Sequence, residues 1–172
     1  MRAAILTISD RCARGEAQDL TGPALRDALV EVGAEILELG VIPDEREVIE
    51  AELVRLSDQV GADVVITNGG TGLGPRDVTP EATEAVLERR APGIAEAMRT
   101  GSLVHTPTAM LSRGTAGLRG TTLIVNLPGS PRGAIECLGI ILPVLGHALD
   151  MIAGRGHRPQ TGHDGGKRPG AT

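Results

Sequence analysis

Short apolar runs alternate along the chain with longer segments in which apolar residues recur at helical spacing. Ala3 to Ile8 is an apolar run bounded by polar residues, which predicts a buried strand, and 35–42 and 63–67 predict two more. Between these runs, the spacing of leucines, isoleucines and valines predicts helices whose first turns contain Pro23 and Pro43. The first half of the chain is therefore predicted to alternate strand and helix.

A glycine-rich segment, 68–77, separates the third predicted strand from the next helix. Thr79 is a favoured residue for the cap of that helix, and Pro80 fits its first position. The Pro92-Gly93 pair predicts a break, after which a further helix is expected over about 94–104. The alternation of strands and helices thus continues into the second half.

The last third of the chain predicts a hairpin followed by helices. Strands are expected at 108–118 and 121–126, joined by a turn at Arg119-Gly120. The apolar segment that ends at Ile152 predicts two helices divided by Pro143. Strands alternating with helices and closed by a hairpin predict an α/β fold: a three-layer α/β/α sandwich with a mostly parallel sheet and one antiparallel hairpin strand.

Composition indicates one folded domain followed by a tail. The chain has 172 residues, of which 41% are apolar, and the domain is predicted to span 1–153. The segment 154–172 is rich in Gly, Pro and basic residues, and it is predicted to be disordered. This tail carries four cations and one acid, so the net charge of −5 leaves −8 on the domain.

Two absences exclude classes of function. The chain contains no Phe, Tyr or Trp, which excludes aromatic stacking platforms for nucleic acids and the aromatic belts of membrane proteins. Lys167, in the tail, is the only lysine, so the domain has neither a Schiff-base lysine nor a P-loop lysine. We expect no nucleic-acid partner and no membrane association.

With no signal peptide pattern and two isolated cysteines, Cys12 and Cys137, the predicted location is the cytoplasm.

Polar loops follow the four strands that are predicted to be parallel. Ser9-Asp10 follows the first strand, Asp44 the second, the glycine-rich segment the third and Pro128-Gly129-Ser130 the last. Because ligands of open α/β sheets bind beyond the carboxyl ends of the strands, these loops are the candidate site.

The glycine-rich turn, Gly69-Gly70-Thr71-Gly72, has two interpretations of equal weight. Its backbone N–H groups could approach a phosphate closely, or the glycines could be required by positive φ angles in the turn. Arg76 and Arg113 could neutralise phosphate charge or lie exposed at the surface.

The acids Asp44 and Asp77 also have two interpretations. Both stand at strand ends beside the glycine turn, and two carboxylates next to a phosphate can hold Mg²⁺. However, Asp44 to Glu47 resembles a capping box, and Asp77 lies just before a predicted helix. From the pattern alone, helix capping is favoured for each acid taken singly. Ser130 before Pro131 is likewise typical of a helix cap.

Taken together, the loops closely resemble the Mog/MoaB family of molybdenum cofactor biosynthesis. The similarity runs from about Ile5 to Ile152. It is carried by four segments in this order: Ile8-Ser9-Asp10-Arg11; Ile42-Pro43-Asp44-Glu45; Thr67-Asn68-Gly69-Gly70-Thr71-Gly72 with Arg76-Asp77-Val78-Thr79-Pro80-Glu81-Ala82; and Asn126-Leu127-Pro128-Gly129-Ser130-Pro131. A fifth segment, Pro107 to Arg113, resembles the family's approach to its hairpin.

The resemblance implies molybdopterin adenylyltransferase activity, in which ATP adenylylates the terminal phosphate of molybdopterin with Mg²⁺ and pyrophosphate is released. It implies that Asp44 and Asp77 are catalytic and hold the metal. The molybdopterin and nucleotide contacts are expected at Ser9, Asp10, Thr67, Gly69, Gly70, Thr71, Gly72, Arg76, Ser112, Pro128, Gly129 and Ser130.

The same resemblance implies a homo-oligomer, a trimer or a hexamer, and a molybdenum insertase as a partner. It also leaves an alternative function open, because the fold occurs in proteins that do not adenylylate. In that alternative the chain is a non-catalytic molybdopterin-binding or scaffold protein. The presence of both acids favours the enzyme.

Overall fold

The fold is given by a computed structural model that describes residues 1–155. One six-stranded sheet organises this part of the chain. Its strands are β1 (Arg2–Ile8), β2 (Glu35–Ile42), β3 (Val64–Asn68), β4 (Arg89–Arg90), β5 (Ala116–Arg119) and β6 (Thr122–Leu127). The helices are α1 (Asp10–Ala13), α2 (Thr21–Glu31), α3 (Arg46–Val54), α4 (Thr79–Val86), α5 (Pro92–Ser102) and α6 (Pro131–Ile152). A π-helical turn (Arg55–Gln59) extends α3, and a 3₁₀ turn (Pro107–Leu111) follows α5.

The strand order across the sheet is β2-β1-β3-β6-β5-β4. The first four strands in this order are parallel, whereas β5 and β4 are antiparallel to their neighbours. The mostly parallel sheet with an antiparallel hairpin is thereby confirmed. Because the four parallel strands point the same way, the loops that follow them meet at one edge, which we call the carboxyl edge.

Helices cover both faces of the sheet, which confirms the three-layer sandwich. Side chains of β1 alternate between two cores: Ile5 belongs to the core under α2, α5 and α6, and Leu6 to the core under α3 and α4. Leu138 of α6 and Ile49 of α3 are fully buried on these opposite faces. Burial on both faces explains why β1 is a continuous apolar run rather than an alternating one.

The prediction that Pro143 divides the last helix is wrong. α6 continues through Pro143 for 22 residues. Proline removes the hydrogen bond to the carbonyl four residues earlier, here that of Gly139. Both Pro143 and Gly139 lie on the exposed face, so that carbonyl can be hydrated while the opposite face of the helix stays packed in the core.

The strand predicted at 108–118 is also wrong over most of its length. The chain forms the 3₁₀ turn there, and β5 begins only at Ala116. Pro107 starts that turn, and the Thr106 side chain caps it by accepting from the N–H of Thr108 at 3.3 Å. Two short elements, α1 and β4, lie in segments for which neither was predicted.

Among residues 1–155, α6 alone has the length and apolar composition of a membrane-spanning helix. Its buried side chains pack against the sheet in one of the two cores, as in the core helix of a globular domain. The predicted disorder of the tail lies outside the described residues, apart from Gly154 and Arg155.

Candidate functional site

A cavity of about 240 Å³ opens at the carboxyl edge of the sheet. Five of the residues predicted to bind ligand line it: Thr71, Gly72, Ser112, Pro128 and Ser130. They come from the loop after β3, the segment before β5 and the loop after β6, which are distant in sequence. The fold therefore brings together loops that the sequence analysis singled out separately.

The glycine turn has the backbone geometry that one of its two interpretations requires. Gly69 and Gly70 have φ of 98° and 62°, which favour glycine. A Cβ on Gly69 would overlap the carbonyl oxygen of Ile8, and a Cβ on Gly129 would lie 3.2 Å from the Gly69 Cα. The turns after β3 and β6 thus pack backbone against backbone, and side chains are excluded between them.

The same turn also presents free hydrogen-bond donors. Within residues 1–155, no acceptor is bonded to the backbone N–H of Thr71 or Gly72, and both residues line the cavity. The N-terminus of α6 lies at the same cavity, through Ser130 and Gly133, and its first turn carries no acid. Free N–H groups and a helix N-terminus both favour an anion. The two interpretations of the glycine turn are therefore compatible.

Asp44 does not cap a helix. The residue at the cap of α3 is Glu45, and no side chain bonds there. Instead, the Asp44 carboxylate accepts from the N–H of Asp10 at 2.7 Å, and the Asp10 carboxylate accepts from the N–H of Asp44 at 3.1 Å. This reciprocal pair fixes the loops after β1 and β2 to each other.

Burial raises the pKa of Asp44, and the negative charges of Asp10 and Asp77 raise it further. The hydrogen bond from the Asp10 N–H and the charge of Arg76 act in the opposite direction. A carboxyl group whose pKa is shifted by burial and by neighbouring charges is a candidate functional residue.

Asp77 does not cap a helix either, because Val78 stands at the cap of α4 and no side chain bonds there. The Asp77 carboxylate accepts from the N–H of Gly74 at 2.7 Å. A Cβ on Gly72 would lie 2.9 Å from the same carboxylate oxygen, so Asp77 packs directly against the glycine turn. Asp44 Oδ1 lies 3.1 Å from the Cβ position of Gly70, so both predicted catalytic acids lie against the glycine-rich loop, although neither lines the cavity.

Arg76 forms an ion pair with Asp10 across the site. Its Nε and Nη2 atoms donate to the two carboxylate oxygens of Asp10, each at 3.0 Å. These hydrogen bonds lower the pKa of Asp10 below its ordinary value. The Arg76 side chain is 58% exposed, so its guanidinium is accessible to an incoming anion.

Arg113 holds the glycine-rich loop through its backbone. Its Nε donates to the Gly72 carbonyl at 2.6 Å, its Nη2 donates to the Asp77 carbonyl at 2.5 Å, and it pairs with Glu81. The Arg113 N–H also donates to the Thr71 carbonyl at 2.9 Å. Arg113 is therefore a clamp on the loop and not an exposed surface residue, whereas its neutralisation of phosphate charge stays a prediction.

Three predicted site residues have other contacts. Thr67 is fully buried and accepts from Asn126 at 2.9 Å, so its side chain does not face the cavity. Ser9 caps α1, and Ser130 caps α6 as predicted. Ser9, Gly69 and Gly129 line a different cavity, of about 230 Å³.

The sequence analysis missed several residues at this edge. Arg99 lines the first cavity and donates to the carbonyls of Ser112 and Gly114, and the Thr21 hydroxyl donates to the Gly129 carbonyl at 2.8 Å. Thr79, which the sequence pattern assigned to a helix cap, is buried beside Gly70. These contacts join residues far apart in sequence, and no local motif marks them.

Comparison with known proteins gives consistent matches. A family model described as a probable molybdopterin binding domain matches residues 4–147. The molybdopterin adenylyltransferase of Helicobacter pylori is 43% identical over 152 residues, which cover 87% of this chain and 86% of that protein. The molybdopterin adenylyltransferase of Escherichia coli is 44% identical over 140 residues, covering 80% and 72%.

Solved structures agree with these matches. The molybdopterin biosynthesis enzyme MoaB from Thermus thermophilus superimposes with a TM-score of 0.84 at 52% identity, and the match covers 89% of this chain and 96% of that one. The similarity thus extends over most of both chains.

Proposed function

The chain belongs to the family of molybdopterin-binding domains of molybdenum cofactor biosynthesis, and from this premise we propose that it is a molybdopterin adenylyltransferase. In this reaction an oxygen of the terminal phosphate of molybdopterin attacks the α-phosphorus of ATP. The bond between the α- and β-phosphates breaks, adenylylated molybdopterin forms, and pyrophosphate leaves. The nucleophile belongs to the substrate, so no covalent intermediate on the protein is required.

The observation that carries the proposal is the packing of Asp44 and Asp77 against the glycine turn, whose Thr71 and Gly72 line the cavity although the two acids do not. Two carboxylates next to free backbone N–H groups suit phosphoryl chemistry, in which catalysis consists of positioning and charge neutralisation. Neither acid is used as a helix cap. The contacts they do make, with the N–H groups of Asp10 and Gly74, hold both carboxylates at the carboxyl edge of the sheet.

Mg²⁺ is the cation proposed for this site. Among residues 1–155, no group of three or more His, Cys, Asp or Glu side chains is placed to hold a metal. Mg²⁺ does not need such a group, because it commonly takes one or two carboxylates and completes its shell with water and substrate phosphates. Asp44 and Asp77 fit this pattern, since both lie against the glycine turn. Bound there, the metal would neutralise charge on the phosphates of ATP.

The protein's own groups then have distinct roles. The N–H groups of Thr71 and Gly72 and the N-terminus of α6 bind phosphate oxygens at the cavity. Arg76, which pairs with Asp10 in the free protein, would instead pair with a phosphate of the bound nucleotide. Arg113 holds the loop in place, which keeps donors and acids in one fixed geometry.

The partners proposed beyond the substrates are other copies of the chain. α6 carries no charged residue between Glu136 and Asp150, and Ile135, Val144 and Met151 are exposed on it. We propose that this uncharged part of α6 contributes to the contact between copies. We expect a trimer or a hexamer, which the mass measured by sedimentation will decide. A molybdenum insertase as a further partner and a cytoplasmic location stay predictions.

The test of the proposed function is the variant Asp77→Asn. Asparagine retains an acceptor for the Gly74 N–H but removes the charge, so we expect the melting temperature to be nearly unchanged. Formation of adenylylated molybdopterin from ATP should fall by about 100-fold or more, the size of effect seen when one electrostatic contact to a transition state is removed. The matched control is Asp27→Asn, an exposed acid of α2 that pairs with Arg26.

Two results would decide against the enzyme. Unchanged turnover in Asp77→Asn would remove this acid from catalysis. Binding of molybdopterin by the wild type without pyrophosphate release would favour the non-catalytic alternative.

A further inference from the structure

The hydroxyl of Thr79 is a buried polar group without a partner. Thr79 is fully buried, and its Oγ1 forms no hydrogen bond within the described part of the chain. An unpaired buried hydroxyl destabilises a fold, and most such groups in proteins are bonded. A group of this kind at a site therefore needs an explanation.

Helix capping does not explain it. Val78, not Thr79, stands at the cap of α4, and no side chain bonds to the first turn. The contact that Thr79 does make is through its backbone, since its N–H donates to the Gly70 carbonyl at 3.1 Å. This bond joins the start of α4 to the glycine turn and leaves the side chain unused.

The Thr79 hydroxyl faces the same point as the Asp44 carboxylate. A Cβ on Gly70 would overlap Thr79 Oγ1 and would lie 3.1 Å from Asp44 Oδ1. Both oxygens thus lie beside the same point next to Gly70, yet the Thr79 hydroxyl is not bonded to the Asp44 carboxylate. Glycine at position 70 leaves this space open.

We propose that Thr79 is a positioning residue for Asp44. When the phosphates and the cation are bound, the Thr79 hydroxyl donates to Asp44 Oδ1, directly or through one water, and this fixes the orientation of the carboxylate. The inference rests on the proposed function, because it takes Asp44 as the acid that holds the cation. It adds a residue on α4 to the loops already assigned to the site.

The test compares Thr79→Val with Thr79→Ser. Valine has the shape of threonine without the hydroxyl, and serine restores the hydroxyl. We expect Thr79→Val to melt at the wild-type temperature or above it, since an unpaired buried group is removed. Mn²⁺ serves as a probe for Mg²⁺, and Thr79→Val should bind it about tenfold more weakly. Losses of about this size are typical when a protein loses a group that orients a metal ligand. Thr79→Ser should bind Mn²⁺ as the wild type does.

The chain offers a matched control. Ser57, in the π-helical turn after α3, is the other residue in the described range with a buried hydroxyl that lacks a partner. Ser57→Ala removes an orphan hydroxyl far from the carboxyl edge, so it should change neither Mn²⁺ affinity nor turnover. If Thr79→Val does not fold, Thr79→Ala removes the same hydroxyl with less bulk.

Mn²⁺ binding is measured by calorimetry with a non-hydrolysable ATP analogue, and therefore does not depend on turnover. The proposal would be overturned if Thr79→Val bound Mn²⁺ as tightly as the wild type does. It would also be overturned if Thr79→Val lowered the Mn²⁺ affinity by the same factor in the Asp44→Asn background as in the wild type. A loss in Thr79→Val that disappears in the Asp44→Asn background would support it. Absence of adenylylation by the wild type would refute the proposed function instead, while this comparison would still be decided.

Discussion

The replacement Gly70→Ala tests whether the glycine turn is held as tightly as the structure indicates. Gly70 has φ of 62°, in the left-handed region, where a non-glycine residue costs roughly 1–2 kcal/mol. The new Cβ would overlap Thr79 Oγ1 and would lie 3.2 Å from the Thr79 Cβ, which belongs to a fully buried residue. Crowding of this kind in a packed interior adds about 1–3 kcal/mol.

We therefore expect Gly70→Ala to lower the free energy of unfolding by about 2–5 kcal/mol, the sum of the two effects. For a domain of this size the melting temperature should fall by about 4–20 °C. Thermal and urea unfolding of the purified variant measure both quantities. Adenylylation should also fall at temperatures where the variant is folded, because the Cβ occupies the space between Thr79 and Asp44.

Two control variants separate strain from crowding. Gly61 has φ of 68° but nothing within 4 Å of its Cβ position, so Gly61→Ala should lose only about 1–2 kcal/mol. Gly139, in α6, is equally open and has helical φ, so Gly139→Ala should gain up to about 1 kcal/mol. If Gly70→Ala is no less stable than Gly61→Ala, the close packing of Gly70 against Thr79 is refuted.

Two further variants test the acids and the clamp. The pKa of Asp44 is raised in the fold, so the wild type loses stability as the pH rises through that pKa and the carboxyl ionises. We therefore expect Asp44→Asn to be inactive but at least as stable as the wild type at pH 7. At pH values low enough to protonate the wild-type carboxyl, the variant should no longer have this advantage in stability. A wild type that is clearly more stable than Asp44→Asn at pH 7 would contradict this. The lysine of Arg113→Lys cannot reach both the Gly72 and Asp77 carbonyls, so this variant should lose about 1–2 kcal/mol of its free energy of unfolding and most of its turnover. The control Arg132→Lys changes an exposed ion pair, and its free energy of unfolding should stay within about 0.5 kcal/mol of the wild type. Equal urea midpoints for both lysine variants would argue against the clamp.

The sheet could be predicted because its strands are marked by composition. β1, β3 and β6 are buried on both faces, so each is a short, mainly apolar run without the helical spacing of an amphipathic helix. Once these strands were predicted to be parallel, their loops had to meet at one edge. The location of the site followed from topology alone.

Pro143 shows why helix boundaries could not be predicted equally well. Proline breaks a helix in isolation, but here one face of α6 is packed along its whole length and the missing bond falls on the exposed face. Tertiary packing outweighs the local preference. Only the fold reveals which face of the helix carries the proline.

The roles of the acids and of Arg113 could not be read from local sequence. Asp44 was favoured as a helix cap because of its neighbour Glu47, yet its partner is Asp10, in the loop after a different strand. Arg113 binds the carbonyl of Gly72, 41 residues away. Such pairs are set by three-dimensional contact, and a single sequence contains no signal for them.

The central claim is that the carboxyl edge transfers an adenylyl group rather than only binding the pterin. The most direct measurement is to incubate the wild-type protein with molybdopterin, ATP and Mg²⁺, and to quantify pyrophosphate and adenylylated molybdopterin in the same sample. We expect the two products in equal amounts, with both abolished by EDTA and restored by added Mg²⁺. Molybdopterin binding without either product would contradict the claim.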